Sequence, residues 1–338
     1  MGLYSSSQQP KPRHLHELKS YFRPGCQSMR LILLSGKITP METVDFLKKN
    51  PSANARLTYK LRNANVFVST NKFHFIDYLD PVAEISPQID ASQLTETESA
   101  YIENQLQANA RKFNHQAEII GKHLPLQDAK VLDIGCGGGL FLSILKKKGA
   151  DVTGIELSDS RAQYAKSKHQ LDIHKYPIEN DFWQKGCANH FDAVTLWDVI
   201  EHVNYPFQTL RSAVQVLKSG GLLLIDTPCR DSFYHQFGEF TYKFTRGRYP
   251  TFLNAMYSSH LFGHKQIFST KEMKELFESV GLQVIDLHKF HELSFPYGFY
   301  LRKLFRSEFI VRLLVPAVTV FFRIFKIQNK MLVIGRKM

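Results

Sequence analysis

Short apolar runs alternate with stretches of helical spacing along most of this 338-residue chain. Residues 131–134 (VLDI), 151–156 (DVTGIE), 190–196 (HFDAVTL) and 222–226 (LLLID) are brief and rich in Val, Ile and Leu, as the buried strands of a parallel sheet are. Between them, 140–148, 158–168 and 207–217 carry the three- and four-residue apolar steps of helices packed on one face. A weaker strand is expected at 173–177, and a helix opens at Thr270 and Glu272. The segments 282–287 and 331–336 read as a final antiparallel pair. Upstream, 95–123 reads as one long helix with Thr95 and Glu98 set as a capping box.

Residues 1–94 do not continue this rhythm. They hold an apolar run at 30–34, a helix at 39–50 with Thr39 as its cap, strands at 65–70 and 72–78, and a proline-containing linker at 80–92. The expected organisation is an N-terminal accessory region, 1–94, and a main domain, 95–338. The first is open between a substrate-recognition element and a structural extension.

The chemistry begins at 131–139 (VLDIGCGGG), where a strand runs into Gly135, Gly137, Gly138 and Gly139 and then into a helix. Glycines at such a turn let backbone approach a ligand closely. A dinucleotide site wants G-x-G-x-x-G, and the third glycine is here Leu140. Asp133 is a poor neighbour for a pyrophosphate and a good one for a cation. S-adenosylmethionine (SAM) carries a sulfonium and an ammonium and no phosphate. Glu156, 21 residues after Gly135, suits both ribose hydroxyls, although both cofactor classes use such an acid.

On these residues the chain resembles the class I SAM-dependent methyltransferases. The resemblance continues through WDVIEHV (197–203) and LKSGGLLLIDTP (217–228). It implies an α/β fold: a Rossmann-like, doubly wound, seven-stranded and mostly parallel sheet of order 3-2-1-4-5-7-6, here with an N-terminal extension. It also implies a SAM site formed by Asp133, Gly135, Gly137, Glu156 and Leu157, with Ile178 and Glu179 at the adenine and Trp197 and Asp198 at the neighbouring strand end. Helices before the glycine loop often close over SAM in this family. Tyr101 and Phe113 therefore stand either at the cofactor or simply against the sheet.

Asp198, Glu201 and His202 are spaced i, i+3 and i+4, which places them on one face if the segment is helical. Three readings stay open. His202 is the catalytic base that takes a proton from an acceptor hydroxyl; or the three residues hold a divalent metal; or they are structural. The D-x-x-E-H pattern is similar to the E-x-x-E-H of the ubiquinone-pathway O-methyltransferases, with Asp in place of the first Glu. His260 and His264 form a second conceivable metal pair, with Gly263 between them speaking against a helix.

Two stretches stand outside the family pattern. Residues 228–268 are crowded with aromatics, among which Lys243, Arg246 and Arg248 are interleaved, a composition suited to a flat or lipidic acceptor bearing an anion or to a self-packed lid. Residues 294–330 contain ten uncharged residues between Arg312 and Arg323, too few to span a bilayer and interrupted by Pro316.

The formal net charge is +12, and 289–338 alone hold ten Lys or Arg against two acids. Basic and apolar residues together point to peripheral membrane contact through 294–330 rather than to nucleic acid; a soluble basic surface or a buried helix pair reads the same. Four scattered cysteines form no C-x-x-C pair, which fits a reducing, cytoplasmic compartment, on the inner face of a membrane if the basic segment attaches there. The expected function is methyl transfer from SAM to a small-molecule or lipid-linked acceptor, with oxygen as the favoured atom. The alternatives are an RNA methyltransferase and a SAM-binding scaffold without turnover.

Overall fold

The computed structural model describes residues 45, 48, 55–81, 88–90, 92, 94–293, 296–324 and 327–338. The chain divides into Met1–Thr39, which lies outside the described residues, and Pro40–Met338, to which everything below refers. The run expected at 30–34 and most of the linker and helix expected at 80–92 and 39–50 also fall outside them; Asp45 and Lys48 are helical.

Strands β1 (Ala55–Lys60), β2 (Asn65–Ser69) and β3 (His74–Ile76) form where alternation marked the second and third of them. Two helices, α1 (Glu96–Ala108) and α2 (Ala110–His123), replace the single helix expected over 95–123. Asn109 divides them: its side-chain amide donates to the Gln105 carbonyl at 2.9 Å, the local competition by which short amides interrupt helices. The capping box forms as expected, with Glu98 N–H on Thr95 Oγ1 and Thr95 N–H on the Glu98 carboxylate, each at 3.2 Å.

The alternating core follows as β4 (Lys130–Ile134), α3 (Leu140–Lys147), β5 (Asp151–Ile155), α4 (Asp159–His169), β6 (Asp172–His174), α5 (Asp181–Gly186), β7 (Phe191–Trp197), α6 (Pro206–Val216) and β8 (Leu217–Pro228). Then come α7 (Phe233–Phe244), α8 (Thr251–Asn254), β9 (Gln266–Ile267), α9 (Thr270–Ser279), β10 (Leu282–Phe290), α10 (Tyr297–Leu304), α11 (Glu308–Ile324) and β11 (Lys330–Lys337). Gly220 and Gly221 do not make a free turn. They lie inside β8 and shift its register on β7 between Phe191 and Ala193.

The main sheet has the order β6-β5-β4-β7-β8-β11-β10, and β11 alone runs opposite to the other six strands. In strand sequence this is 3-2-1-4-5-7-6, the expected order. Successive side chains point to opposite faces. Leu132, Val194, Leu223 and Val333 enter one core cluster, and Val131, Ala193, Leu224 and Leu332 enter the other. Both faces are therefore covered, as a parallel sheet requires.

A second sheet has the order β1-β2-β3-β9, so strands from 55–76 pair with one from the aromatic insertion. Tyr59, Val66 and Ile76 share a core with Leu253, Tyr257 and Ile267. Phe73 and Phe75 join the main core beside Phe268. Of the insertion's aromatics, Tyr257 and Phe268 are spent on packing, whereas Phe233, Phe240, Phe244, Tyr249 and Phe262 stay exposed.

Candidate active site

The glycine loop follows β4, at the carboxyl edge of the sheet where open α/β folds place their ligands. Gly137 has φ 56° and a Cβ there would meet nothing within 4 Å, so the loop faces open space at that residue. At Gly135 a Cβ would lie 2.6 Å from Val199 Cγ2, and at Gly138 it would lie 2.9 Å from Ile102 Cγ2 and 2.8 Å from Leu106 Cδ1. The loop is therefore packed between the turn after β7 and the inner side of α1. Glu156, at the end of β5, accepts from Gly137 N–H and Ser158 N–H, both at 2.8 Å. Burial raises its carboxyl above the ordinary range against those two donors. Asp133 is buried and accepts from Thr195 Oγ1 at 2.7 Å; burial pushes it up to about 8.

Trp197 closes β7 with its ring edge-on to Phe141, and its buried Nε1 has no partner among the described residues. Asp198 then turns the chain with φ 53°, a conformation that costs an ordinary residue about 1–2 kcal/mol. Its N–H donates to Asp226 Oδ1 at 2.7 Å, which holds the turn.

The carboxylate of Asp198 is bracketed by two cations, Lys330 Nζ on Oδ1 and Lys112 Nζ on Oδ2, each at 2.6 Å. Lys330 also reaches Asp226 and Glu292, both at 3.0 Å, and Lys112 reaches Glu292 at 3.0 Å. Burial alone would raise Asp198; the two ammonium groups hold it well below the usual carboxylate range. Asp226, buried and facing Asp198, is raised. None of Lys112, Asp226, Glu292 and Lys330 was singled out from the sequence. The signal available was a lone Lys at the head of an apolar strand and an Asp at the end of another.

Residues 198–203 form a turn, so Asp198, Glu201 and His202 do not share a helical face. Asp198 belongs to the ion cluster. Glu201 is fully buried and accepts from Thr227 Oγ1 at 3.0 Å. His202 instead packs against His264, ring centroids 4.7 Å apart and the rings tilted by 56°. One donor atom from each of Glu201, His202 and His264 lies within 4.8 Å of the other two. His264 is thus drawn to His202 and not into the pair conceived with His260, which is exposed. Gln266 fixes the turn by donating to the carbonyls of Ile200 at 2.6 Å and Val203 at 3.0 Å, and Lys265 N–H donates to Glu201 O at 2.8 Å. Burial, and then the Asp198 charge, push Glu201 up to about 7, whereas burial lowers His202.

The remaining sequence candidates are placed as follows. Leu157 is half-buried against the main core. Ile178 is buried within it, and the Glu179 carboxylate accepts from Thr209 Oγ1 of α6. Phe113 packs against the sheet. Tyr101 is exposed and lines a cleft of about 800 Å³ with Asn104, Gln105, His291, Glu292 and Tyr297. Glu292 joins this cleft to the ion cluster.

A methyltransferase-domain family model matches residues 101–287. The chain belongs to the SAM-dependent methyltransferases. The ubiquinone biosynthesis O-methyltransferase of Nitrosomonas europaea is 35% identical over 124 residues, covering 35% of this chain and 51% of that protein. The Coxiella burnetii protein of the same name is 30% identical over 175 residues, covering 51% and 71%. This methyltransferase therefore spans about half the length of one relative and more of the other. A solved SAM-dependent methyltransferase from Archaeoglobus fulgidus is 16% identical, with a TM-score of 0.42 over 67% of this chain and 94% of that one.

The methyl donor of the family, SAM, fits the residues present. The opening at Gly137 admits a ligand against bare backbone, and the Glu156 carboxylate keeps lone pairs beyond its two backbone donors for hydroxyl groups.

Proposed function

We propose that this methyltransferase moves a methyl group from SAM to a hydroxyl oxygen of a small-molecule acceptor. The observation that carries the reading is the contact between Gly135 and Val199, which seats the His202 turn directly against the glycine loop. In this reading Glu156 and Leu157 fix the ribose end of SAM, Asp133, bonded to Thr195, holds the strand end beneath the glycine loop, and Trp197 and the Asp198 backbone wall the methionine end. SAM supplies a methyl group already activated on its sulfonium, so holding the acceptor oxygen in line provides much of the rate. The C–O bond forms as the C–S bond breaks, and the hydroxyl proton has to leave. His202, kept neutral by burial, takes that proton. The acceptor enters by the cleft at Tyr101, His291 and Tyr297. The relatives' O-methyltransferase name supports oxygen as the receiving atom.

A specific observation favours a second reading of the same turn. Glu201 Oε1 and His202 Nδ1 are buried without partners beside His264. Those three residues would hold a divalent ion, which would supply a Lewis acid that eases loss of the hydroxyl proton. Turnover with radiolabelled SAM and phenolic acceptors, measured before and after chelation, separates the readings. Loss on chelation with recovery on adding metal supports the ion, whereas chelator-resistant turnover abolished in His202→Gln supports the base.

The α10–α11 hairpin leads to a related proposal. No described helix is long and apolar enough to cross a membrane. On α11, however, Phe309, Leu313, Val320, Phe321 and Ile324 are exposed, and Arg312 and Arg323 are interleaved with them. That face suits shallow insertion into an anionic bilayer surface, where an acceptor with a lipid tail would be met.

A further inference from the structure

A second set of donors converges far from the glycine loop in sequence and is not used by the reaction. His74 comes from β3, and His235 and Glu239 are one turn apart on α7. His74 Nδ1 and His235 Nδ1 each lie 3.7 Å from Glu239 Oε1, and the three donor atoms lie within 4.8 Å of one another. The His235 side chain is 1% exposed and that of His74 9%. Neither Nδ1 has a hydrogen-bond partner. A separation of 3.7 Å is beyond the 2.7–3.2 Å of an N–H···O bond, so the three do not satisfy each other. A buried nitrogen left in that state is destabilising, and a ligand that takes its lone pair removes the penalty.

Two metal–ligand bonds of about 2.0–2.1 Å at a tetrahedral angle put their ligand atoms about 3.4 Å apart. The two imidazole–carboxylate spacings of 3.7 Å are within a few tenths of an ångström of that value, and the two imidazole nitrogens lie within 4.8 Å of each other. The surroundings orient the donors as outer partners of a metal site do. Tyr257 Oη bonds His235 Nε2 at 2.9 Å, which leaves Nδ1 to face the centre. The Tyr59 hydroxyl bonds the Glu239 carboxylate, and Lys243 approaches its other oxygen, Oε2, at 3.5 Å. The cation Arg230 is engaged by Glu272 and by the Lys72 carbonyl. Burial keeps both imidazoles neutral, the form that ligates.

We propose that His74, His235 and Glu239 bind a divalent transition ion of the zinc type. Two imidazoles with one carboxylate favour such an ion over magnesium or calcium, which take oxygen ligands. Bound there, it joins the small sheet to the first helix of the aromatic insertion.

The test uses the full chain carrying Glu201→Gln, which disables the donor group beside His202. After chelation and dialysis, zinc binding is titrated against a chromophoric competitor, and cobalt is substituted to read visible ligand-field bands. One zinc per chain, with cobalt bands of a four-coordinate ion, is expected. Adding Glu239→Gln should weaken zinc at least 100-fold and remove the zinc-dependent rise in Tm. Tyr257→Phe, which keeps all three donors, should weaken it about tenfold. Absence of bound zinc in the folded Glu201→Gln protein, as an ordered water at the centre would give, overturns the proposal. Equal affinity with and without Glu239→Gln also overturns it.

Discussion

Lys330→Met removes the cation at the centre of the ion cluster while keeping most of the side chain's volume. Lys330 Nζ contacts Asp198 at 2.6 Å and Asp226 and Glu292 at 3.0 Å. In the variant, Lys112 still covers Asp198 and Glu292. Asp226, 2% exposed, keeps the Asp198 N–H at 2.7 Å and the Gln116 amide at 3.4 Å but loses its ion pair, with Lys112 acting on it only from farther off. Removing one partner of a buried pair costs about 3–5 kcal/mol, and because Lys112 remains, the lower end, about 3 kcal/mol, applies. The loss depends on pH. Burial and Asp198 already raise Asp226, and without Lys330 it rises further. A carboxyl whose folded value exceeds its unfolded value loses stability as pH climbs through that interval, so the deficit is largest near neutrality and shrinks toward pH 4. The assay is urea unfolding followed by Trp197 and Trp183 fluorescence across that range. A deficit under about 1 kcal/mol at neutral pH, or one that does not change with pH, would refute the reasoning.

Further outcomes can be checked independently. Gly137→Ala meets no atom of the protein but adds a methyl group where the loop is open, so the fold should persist at a cost of about 1–2 kcal/mol while SAM affinity falls at least tenfold by calorimetry. His202→Gln should leave SAM affinity unchanged and lower kcat by about 10²–10⁴. Because burial lowers the His202 pKa from 6.5, the wild-type rate should be flat through neutral pH and fall only as pH drops below that value. Phe309→Ser with Leu313→Ser should reduce co-sedimentation with anionic liposomes, and identical sedimentation removes the membrane proposal.

The βα units and the glycine loop were legible because each is local. A buried run, a turn and an amphipathic helix announce themselves within about 25 residues, and β4 to β5 is such a stretch. What was not legible is assembled across the chain. Asp198 reads as a lone acid at a strand end, whereas Lys112 and Lys330, which occupy both its oxygens, arrive from α2 and β11. The spacing of Asp198, Glu201 and His202 suggests one helical face only if a helix forms, and the positive φ of Asp198 prevents it. Ile178 and Glu179 follow a family position, but here packing and Thr209 claim their side chains. The pairing of β3 with a two-residue strand in the insertion has no periodic signal, so the strands expected at 65–70 and 72–78 carry no sign in the sequence of the sheet they complete.

The central claim is that the loop between β4 and α3, with Glu156, is a SAM site. Calorimetric titration of the full chain with SAM, beside Glu156→Ala and with NAD as control, tests it most directly. The account predicts micromolar SAM binding, no NAD response, and a loss of about 100-fold in Glu156→Ala, as two charge-assisted hydrogen bonds to hydroxyls would give. SAM binding that is absent, or equal in Glu156→Ala and wild type, would contradict it.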